Sequence, residues 1–437
     1  MIVLKFGGTS IKDAQTIDQC LSIIREKSLS NVLLVVFSAS GNTTDILERI
    51  AFYIPEGNIH SVNSYFDRIQ KHHQTILKDF SLPSRCIDPL LQELSAFVHG
   101  LTLLRECTAR SKDTLLAFGE LLSSHIITER FLQQGHSAHL ADSRSLYITN
   151  EDFGNAVPLM KQTKQNIKKL PLKEGTPLFL QGFIAANKHG VTTTLGRGGS
   201  DYTAAIAAAA LPCTHLEIWT DVPGIMTCDP RMIHNAKTVK QISYDEAAEL
   251  AYFGAKVLHP ATIQPAVEQS IPVYIKKTSA PEQEGTCIHT HSPKGIKAIA
   301  SRNNIYLIQL RSSRMLNTYG FLKEMFSIFA LSKISVDLVS TSEVSVTVST
   351  ERKPDAGLIH ALSQLGKVVV EKDMGIVCIV GLHVWKNPRI VGKIFSSLNP
   401  ASRIQLITLG ASDTNLSVAL PEKDIKDVVK RLHDTLF

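Results

Sequence analysis

The sequence predicts an α/β sandwich with a mainly parallel sheet over residues 1–290 and two ferredoxin-like modules over residues 291–437. In the first part, helical stretches such as Lys112–Gln134 and Asp201–Leu211 alternate with short runs of β-branched and aromatic residues. Continuous apolar runs of this length are typical of strands buried on both faces, as in a parallel sheet. The runs are Ile2–Phe6, Val32–Phe37, Leu178–Phe183, Glu217–Trp219 and Pro272–Ile275.

The tail contains an internal repeat after a polar segment, residues 278–294, which we interpret as a junction. Residues 334–348 and 404–418 each show an alternating strand, a Ser/Thr-rich turn and a second alternating strand. An amphipathic helix precedes each, and the apolar face of the first is formed by Phe321, Leu322, Met325, Ile328 and Phe329. The repeat predicts modules at approximately 302–371 and 374–437, with the insertion of one in the other left open.

Composition excludes several classes of protein. The chain has 437 residues, 46 basic against 40 acidic, and 44% apolar side chains, which is typical of a globular protein. It has no apolar run long enough to span a membrane, no signal-peptide pattern and no block of Lys/Arg longer than two residues. Seven scattered cysteines without a C-x-x-C pair indicate reduced thiols. We therefore expect a cytoplasmic protein with neither a membrane nor nucleic acid as partner.

Two polar loops follow the first two predicted strands. K-F-G-G-T-S begins at Lys5, and glycines at this point let backbone N–H groups approach phosphate oxygens. The alternative is a tight turn, since no complete P-loop or G-x-G-x-x-G is present. S-A-S-G-N-T-T-D begins at Ser38; it could bind a polar substrate, start a helix with Thr43 or Thr44 as N-cap, or do both.

The most informative stretch is G-R-G-G-S-D, residues 196–201, which precedes an Ala-rich helix. Arg197 can bind a carboxylate or phosphate through two parallel hydrogen bonds, and the helix start adds backbone donors. Asp201 has a helix cap as its alternative role. Farther on, Arg231 and Lys256 suit nucleotide phosphates, although isolated cations are more often solvated.

Histidines and cysteines give weaker signals. C-I-H-T-H, beginning at Cys287, places three ligand types on one strand face but offers no fourth at a recognised spacing. We therefore predict no protein metal site. His72 and His73 lie in a helical stretch and are interpreted as a solvated surface pair.

Taken in order, these motifs resemble the aspartate kinase (aspartokinase) family, which has the amino-acid-kinase fold. The likeness includes A-F-G-E-L-L-S, T-L-G-R-G-G-S-D-Y-T-A-A, W-T-D-V-P-G-I-M-T-C-D-P-R and F-G-A-K-V-L-H-P. M-L-N-T-Y-G-F-L and I-S-V-D-L-V-S-T-S-E-V-S-V resemble the effector-binding ACT domains of lysine-sensitive members. The chain ends with the second module, so we expect the monofunctional type, without a fused homoserine dehydrogenase.

The resemblance implies transfer of the γ-phosphoryl group of ATP to the β-carboxylate of L-aspartate, with Mg²⁺ accompanying ATP. A carboxylate nucleophile is ionised at neutral pH and needs no general base, so cations and backbone amides suffice. Lys5 and Asp201 would be the catalytic pair. By the same resemblance, aspartate would be bound by Thr44, Glu120, Arg197, Gly198, Gly199 and Ser200.

The resemblance also implies a nucleotide site and an effector site. The nucleotide would contact Lys5, Gly7, Gly8, Thr220, Asp221, Met226, Arg231, Lys256 and Val257. Met226 departs from the family pattern, in which an aromatic residue is frequent, and its thioether can still pack against a base. An effector, L-lysine above all, would be bound by Met315, Thr318, Gly320, Phe321, Leu322, Asp337, Thr341, Ser342 and Glu343. A homodimer or homotetramer through the ACT modules is expected.

Other functions remain open from the residues alone. The same fold could phosphorylate glutamate, N-acetylglutamate, carbamate or UMP. Arg197 and Glu120 favour a free α-amino acid, which leaves glutamate as the close rival. A non-catalytic amino-acid sensor is the third possibility, and the joint presence of Lys5, Glu120, Arg197 and Asp201 argues against it. Threonine and diaminopimelate stay open as effectors.

Overall fold

The structure is a computed structural model that describes residues 1–253, 258–316, 318–398, 403–410 and 412–437. Within these residues the strands, in chain order, are β1 (Ile2–Phe6), β2 (Leu33–Phe37), β3 (His139–Ala141), β4 (Ile148–Thr149), β5 (Leu178–Gln181), β6 (Ile184–Asn187), β7 (Thr192–Thr194), β8 (His215–Thr220), β9 (Gln241–Ser243), β10 (Val273–Lys277), β11 (Thr286–His289), β12 (Gly295–Arg311), β13 (Val339–Thr341), β14 (Ser345–Thr350), β15 (Lys367–Leu382), β16 (Leu406–Leu409) and β17 (Asn415–Pro421).

The α-helices of the same residues are α1 (Ala14–Ser28), α2 (Thr43–Tyr53), α3 (Ile59–Asp79), α4 (Asp88–Leu104), α5 (Ala109–Gln133), α6 (Met160–Ile167), α7 (Gly199–Ala210), α8 (Tyr244–Tyr252), α9 (Gln264–Glu268), α10 (Phe321–Leu331), α11 (Ala356–Ser363), α12 (Pro388–Ser397) and α13 (Ile425–Leu436). No helix of the described residues is long and apolar enough to cross a membrane.

The chain forms two compact units. The first comprises Met1–Ile225 with Val257–Thr290, and the second comprises Met226–Lys256 with His291–Phe437.

The first unit contains the mainly parallel sheet that the sequence predicts. Its strands run in the order β3-β5-β2-β1-β8-β10-β11, and every neighbouring pair is parallel except β10–β11. Lys5 pairs with Val36 on one side and Ile218 on the other, so the carboxyl ends of three strands are aligned. That edge is where parallel α/β sheets bind their ligands.

Both faces of this sheet are buried, as its continuous apolar strands predict. Phe6 and Phe37 share one hydrophobic cluster with side chains of α1 to α5. The alternate residues, such as Val3 and Val36, are also fully buried and point to the opposite face, where α7 contacts β1, β2 and β8. The sandwich therefore places helix α7 and the long helix α5 on the sheet strands that carry the polar loops.

Several sequence interpretations change in detail. The segment 278–294 contains strand β11, which pairs antiparallel with β10, because Thr286 and Ile288 are buried on one face. The interpretation of the histidine pair was wrong, since His73 is fully buried and its Nδ1 lies 2.8 Å from the Ile69 carbonyl.

The second unit contains an antiparallel sheet with strand order β13-β14-β12-β15-β17-β16. Strands β12 and β15 are long and pair over almost their whole length, with register shifts near Arg302 and Ile305. The part of β12 before Arg302 and its partner in β15 form one half-sheet with β17 and β16, covered by α12 and α13. The part of β12 after Ile305 and its partner in β15 form another with β14 and β13, covered by α10 and α11. The half-sheet that contains β17 therefore begins with the first part of β12, before the other half-sheet in sequence, and is completed after it.

Residues 226–253 pack against this second sheet. Cys228 and Ile233 lie in the cluster formed by α12, α13 and β17, and Thr227 Oγ1 lies 3.0 Å from His433 Nε2. Glu246, fully buried near the start of α8, accepts a hydrogen bond of 2.8 Å from the backbone N–H of Leu382. These long-range contacts give α8 a fixed position in the second unit.

Candidate active site

The centre of the site is an ion pair at the carboxyl end of β1. Lys5 Nζ lies 2.7 Å from Asp201 Oδ1, and both side chains are largely shielded from solvent. Asp201 lies in the first turn of α7, whose N-cap is Gly198, so the alternative role of Asp201 as the helix cap was wrong. The carboxylate fixes the Lys5 ammonium where the N-terminus of a helix adds further positive potential.

The first two polar loops touch each other through glycine. A Cβ on Gly8 would lie 2.7 Å from the Ala39 carbonyl and 2.9 Å from the Gly41 carbonyl, and Gly41 N–H donates to the Gly8 carbonyl at 3.0 Å. Only a residue without a side chain permits this approach. The loops after β1 and β2 therefore form one continuous polar surface.

Helix α2 begins beside this surface at Thr43. Its N-cap is Asn42, which makes no side-chain cap bond, so the interpretation of Thr43 or Thr44 as N-cap was wrong. Thr43 Oγ1 instead donates to the Ser40 carbonyl at 2.6 Å and is buried, whereas the Thr44 side chain is left to line the pocket. The Ser40 hydroxyl in turn donates to the Ile11 carbonyl at 2.7 Å.

Glu120 enters the same region from helix α5. It is 2% exposed, and its Oε1 accepts a hydrogen bond of 3.1 Å from the Ala39 N–H. Among the described residues its Oε2 has no hydrogen-bond partner, although it is buried. Burial raises the pKa of Glu120 to about 8, and the bond from Ala39 offsets only part of that effect. A buried carboxylate with one free oxygen suits a cationic ligand.

These elements enclose a pocket of about 720 Å³ within the first unit. Arg197, exposed to solvent, belongs to its wall, together with the glycines at the start of α7. The pocket thus joins cationic side chains, Lys5 and Arg197 among them, with the buried carboxylate of Glu120 and the amides at a helix start. The sequence-predicted residues that line it are Lys5, Gly8, Thr44, Glu120, Arg197, Gly198, Gly199, Ser200 and Asp201.

The structure adds residues that the sequence analysis missed. Asp113 lines the pocket and is fully buried, accepting hydrogen bonds from Gly154 and Thr194. Lys112 also lines it and forms an exposed ion pair of 3.5 Å with Glu48. Asp113 precedes Glu120 by seven residues, which places both on one face of a helix. That spacing was the available signal.

The predicted nucleotide residues fall into three groups. Gly7 lies beside Lys5, and Thr220 ends β8, its hydroxyl donating to Asp221 at 3.1 Å. Met226 and Arg231 belong to the second unit, where Met226 Sδ accepts from Thr238 and Arg231 pairs with Asp229 at 2.7 Å. Lys256 and Val257 lie outside the described residues.

The predicted effector residues belong to the second unit. Gly320 is the N-cap of α10, while Phe321 is buried in the cluster with Met325 and Phe329. The others at this end, Met315, Thr318 and Leu322, are partly or fully exposed. Thr341 ends strand β13, and Ser342 and Glu343 form the exposed turn after it.

Asp337, one of the predicted effector residues, contacts the end of helix α8. Its Oδ1 accepts a hydrogen bond from the Tyr252 hydroxyl, while its Oδ2 is buried without a partner among the described residues. Arg302 stacks on the Tyr252 ring with 5.1 Å from guanidinium carbon to ring centroid, and it pairs with Glu351. Burial raises the pKa of Asp337, and the bond from Tyr252 partly offsets this. The carboxylate is therefore held by the last residue of α8.

No group of three or more His, Cys, Asp and Glu side chains in the described residues could hold a metal ion.

Two known protein families match the chain. The amino acid kinase family matches residues 1–277, and an ACT domain matches residues 377–436. The lysine-sensitive aspartokinase 3 of Escherichia coli is 38% identical over 456 aligned positions, which cover 100% of this chain and 99% of that protein. The chain belongs to the aspartokinases of the amino acid kinase family. The chloroplastic aspartokinase 2 of Arabidopsis thaliana is 31% identical and is covered over 84% of its length.

Solved aspartokinase structures share the fold over the whole chain. Escherichia coli aspartokinase III in complex with aspartate and ADP, described as the R-state, superimposes with a TM-score of 0.83 at 37% identity and full coverage of both chains. The same protein with lysine and aspartate, described as the T-state, gives a TM-score of 0.82 at 37% identity, with 100% of this chain and 99% of the other covered. The predicted fold class of an amino-acid-kinase sandwich with ACT modules is confirmed.

Proposed function

We propose that this aspartokinase transfers the γ-phosphoryl group of ATP to the β-carboxylate of L-aspartate and is inhibited by L-lysine. The observation that carries the proposal is a single pocket lined by the Lys5–Asp201 pair, Arg197 and Glu120. A pocket that combines cationic side chains with the buried carboxylate of Glu120 is complementary to a zwitterionic amino acid that carries a second carboxylate.

Aspartate is bound through its charged ends in this proposal. Arg197 binds the α-carboxylate with its planar guanidinium, and Glu120 binds the ammonium group. The unpartnered Oε2 of Glu120 fits this role, because an ammonium supplies the missing donor. Thr44 and the amides of Gly198, Gly199 and Ser200 add neutral hydrogen bonds.

Phosphoryl transfer needs charge neutralisation more than proton transfer. The β-carboxylate is ionised at neutral pH, so the difficult step is bringing two anions together in line. Lys5 neutralises the transferring group and Asp201 holds the Lys5 ammonium in place. Mg²⁺ arrives with ATP as part of the substrate and, when bound, offsets the charge of the phosphates.

The nucleotide contacts are proposed on the resemblance to aspartokinases. Gly7 and Gly8 donate backbone N–H groups to phosphate oxygens at the end of β1. Thr220, Asp221, Met226, Arg231, Lys256 and Val257 complete the site. ADP in the Escherichia coli R-state structure supports an adenine nucleotide as ligand.

The effector site is proposed in the second unit, around Asp337, with Glu343 as a second carboxylate. Lysine in the Escherichia coli T-state structure and the name of the lysine-sensitive relative support this choice. The unpartnered Oδ2 of Asp337 supports a ligand with a strong donor. Met315, Thr318, Gly320, Phe321, Leu322, Thr341 and Ser342 are proposed as the remaining contacts.

Domain boundaries, assembly and location belong to the same proposal. We propose a kinase domain over 1–290 and a regulatory region over 291–437, with the module at 302–371 inserted in the module that ends at 437. The pairing of both halves of β12 with β15 supports the insertion.

Exposed apolar side chains at Val339 and Val344 support a homodimer or homotetramer through these modules. Free cysteines support a cytoplasmic location.

The test is ADP release with Mg-ATP and either L-aspartate or L-glutamate, with and without millimolar L-lysine. Turnover with aspartate that lysine suppresses supports both halves of the proposal. Faster turnover with glutamate would replace the substrate, and folded protein without turnover would favour the sensor. Lys5→Met should abolish turnover and leave lysine binding intact. Lys12→Met, an exposed neighbour outside the pocket wall, should keep wild-type activity.

A further inference from the structure

A buried carboxylate on α5, that of Asp113, ties the segment at Gly154 to the end of β7, which leads to Arg197. Asp113 is fully buried; its Oδ2 accepts from the N–H groups of Gly154 and Thr194, each at 2.9 Å, and its Oδ1 accepts from the Thr194 hydroxyl at 2.8 Å. All three partners are donors, so together they stabilise the ionised carboxylate against the burial that raises its pKa.

The two segments also touch directly. Ala156 N–H donates to the Thr194 carbonyl at 2.9 Å. A Cβ on Gly196 would lie 2.3 Å from Asn155 Oδ1, so only glycine fits there, at a φ of +72°. Arg197 follows at once, and its loop is therefore bounded by the Asp113 bonds at Thr194 and by the segment 154–156.

The position of Asp113 on the helix relates it to the substrate end of the pocket. Asp113, Leu116 and Glu120 all line the pocket and recur on one face of α5. Glu120 holds the loop after β2 through Ala39, while Asp113 holds the end of β7 through Thr194. One rigid helix thus sets the separation of the two walls.

We propose that Asp113 is a positioning residue for aspartate binding that acts through Arg197. This inference rests on the proposed function, in which Arg197 binds the α-carboxylate. Charge-assisted bonds from a buried carboxylate fix the backbone at Thr194, and the short Gly-Arg-Gly-Gly segment transmits that position to the guanidinium. Because these hydrogen bonds hold both oxygens of Asp113 to protein groups, we assign it no direct contact with the reacting atoms.

The test is a double-mutant cycle on kcat/KM for aspartate. Asp113→Asn keeps the shape but presents an amide to at least one N–H donor, so we expect a decrease of about ten- to a hundredfold with the KM for ATP little changed. Thr194→Val removes only the hydroxyl and should give a smaller decrease in the same direction. Glu129→Gln, on the same helix outside the pocket, is the matched control and should be silent.

The cycle separates positioning from simple stability. In an Arg197→Ala background, Asp113→Asn should have almost no further effect on kcat/KM for aspartate. An equal fold-loss in both backgrounds would overturn the inference and leave Asp113 as a structural residue. If Arg197→Ala itself leaves aspartate kinetics unchanged, the proposed function fails instead, so the two failures are distinguishable.

Discussion

Replacing Glu120 by Gln should raise the stability of the protein and lower its activity. The side chain is buried and lines the pocket, and burial raises its pKa from the ordinary 4.5 to about 8. Gln keeps the size and the acceptor that faces the Ala39 N–H. The substitution therefore removes the charge and leaves the packing almost unchanged.

The size of the stability effect follows from the pKa difference. Between about pH 4.5 and 8 the folded protein keeps a proton on Glu120 that the unfolded chain has released. The free energy of unfolding of the wild type therefore falls as the pH rises, by about 1.4 kcal/mol per pH unit and by roughly 5 kcal/mol over the window. The Gln variant lacks this loss, so its advantage should be near zero at pH 5 and several kcal/mol at pH 8.5.

The effect on catalysis has the opposite sign. In the proposed function, Glu120 must be ionised to bind the ammonium group of aspartate. Because its pKa is about 8 in the free enzyme, kcat/KM for aspartate should rise about tenfold per pH unit from pH 6 toward a plateau above pH 8. The Gln variant should lose about ten- to a hundredfold at the plateau and show no such slope, since it has no charge to gain.

Two assays check the reasoning. Thermal or urea unfolding of both proteins at pH 5.5, 7 and 8.5 measures the stability difference, and kcat/KM for aspartate over pH 6–9 measures the catalytic one. A variant that is less stable than the wild type at pH 8.5 would contradict the buried, partly unpartnered carboxylate. A variant that keeps the wild-type slope would assign the titration to another group.

Three further predictions concern other parts of the site. Gly8→Ala places a Cβ 2.7 Å from the Ala39 carbonyl, so it should push apart the loops after β1 and β2. We expect a loss of about 1–3 kcal/mol of stability in a urea titration and a decrease in kcat of more than tenfold. An unchanged kcat would show that the close contact between these loops is not needed for catalysis. Arg197→Lys loses the planar fork and should raise the KM for aspartate about tenfold without changing the KM for ATP; equal changes would exclude a role specific to aspartate. Tyr252→Phe removes the hydroxyl that donates to Asp337, so the carboxylate is free to bind lysine. The lysine concentration for half-inhibition should fall about three- to tenfold, with kcat unchanged. Weaker inhibition would mean that the Tyr252 hydroxyl helps to bind the effector.

Sequence patterns could predict much of the pocket because its parts lie at strand ends. Lys5 and Ser38 each end or follow an apolar strand, and parallel strands bring their carboxyl ends to one edge. Arg197 and Asp201 are marked by glycines before a helix. Local composition therefore indicated these positions without knowledge of the strand order.

The features that were missed depend on contacts distant in sequence. Asp113 looks like a polar residue near the start of a helix, and its burial depends on Thr194, which is 81 positions away. His73 was misinterpreted because a histidine beside charged residues resembles a surface site, whereas α3 packs that face inward. The packing of residues 226–253 on the second sheet likewise rests on Leu382 and His433.

The two proposed amino-acid sites share one electrostatic feature. In each, a carboxylate has one oxygen bonded within the protein and a second, buried oxygen without a partner in the described residues: Glu120 with Ala39, and Asp337 with Tyr252. In each case the second oxygen lacks a positively charged hydrogen-bond donor. An ammonium group supplies it and keeps the carboxylate ionised against the burial that raises its pKa.

This feature favours lysine over threonine as effector. Both amino acids carry an α-ammonium, so they differ at Asp337 only through the side chain: a threonine hydroxyl exchanges one neutral O–H donor for another, and displacing Tyr252 brings little gain. A lysine ammonium forms a charge-assisted bond that is roughly twice as strong as a neutral one. We therefore expect inhibition by lysine at concentrations at least tenfold below those of threonine, measured by ADP release. Asp337→Asn should abolish that preference, and a variant that still prefers lysine would assign the recognition of the effector ammonium to Glu343.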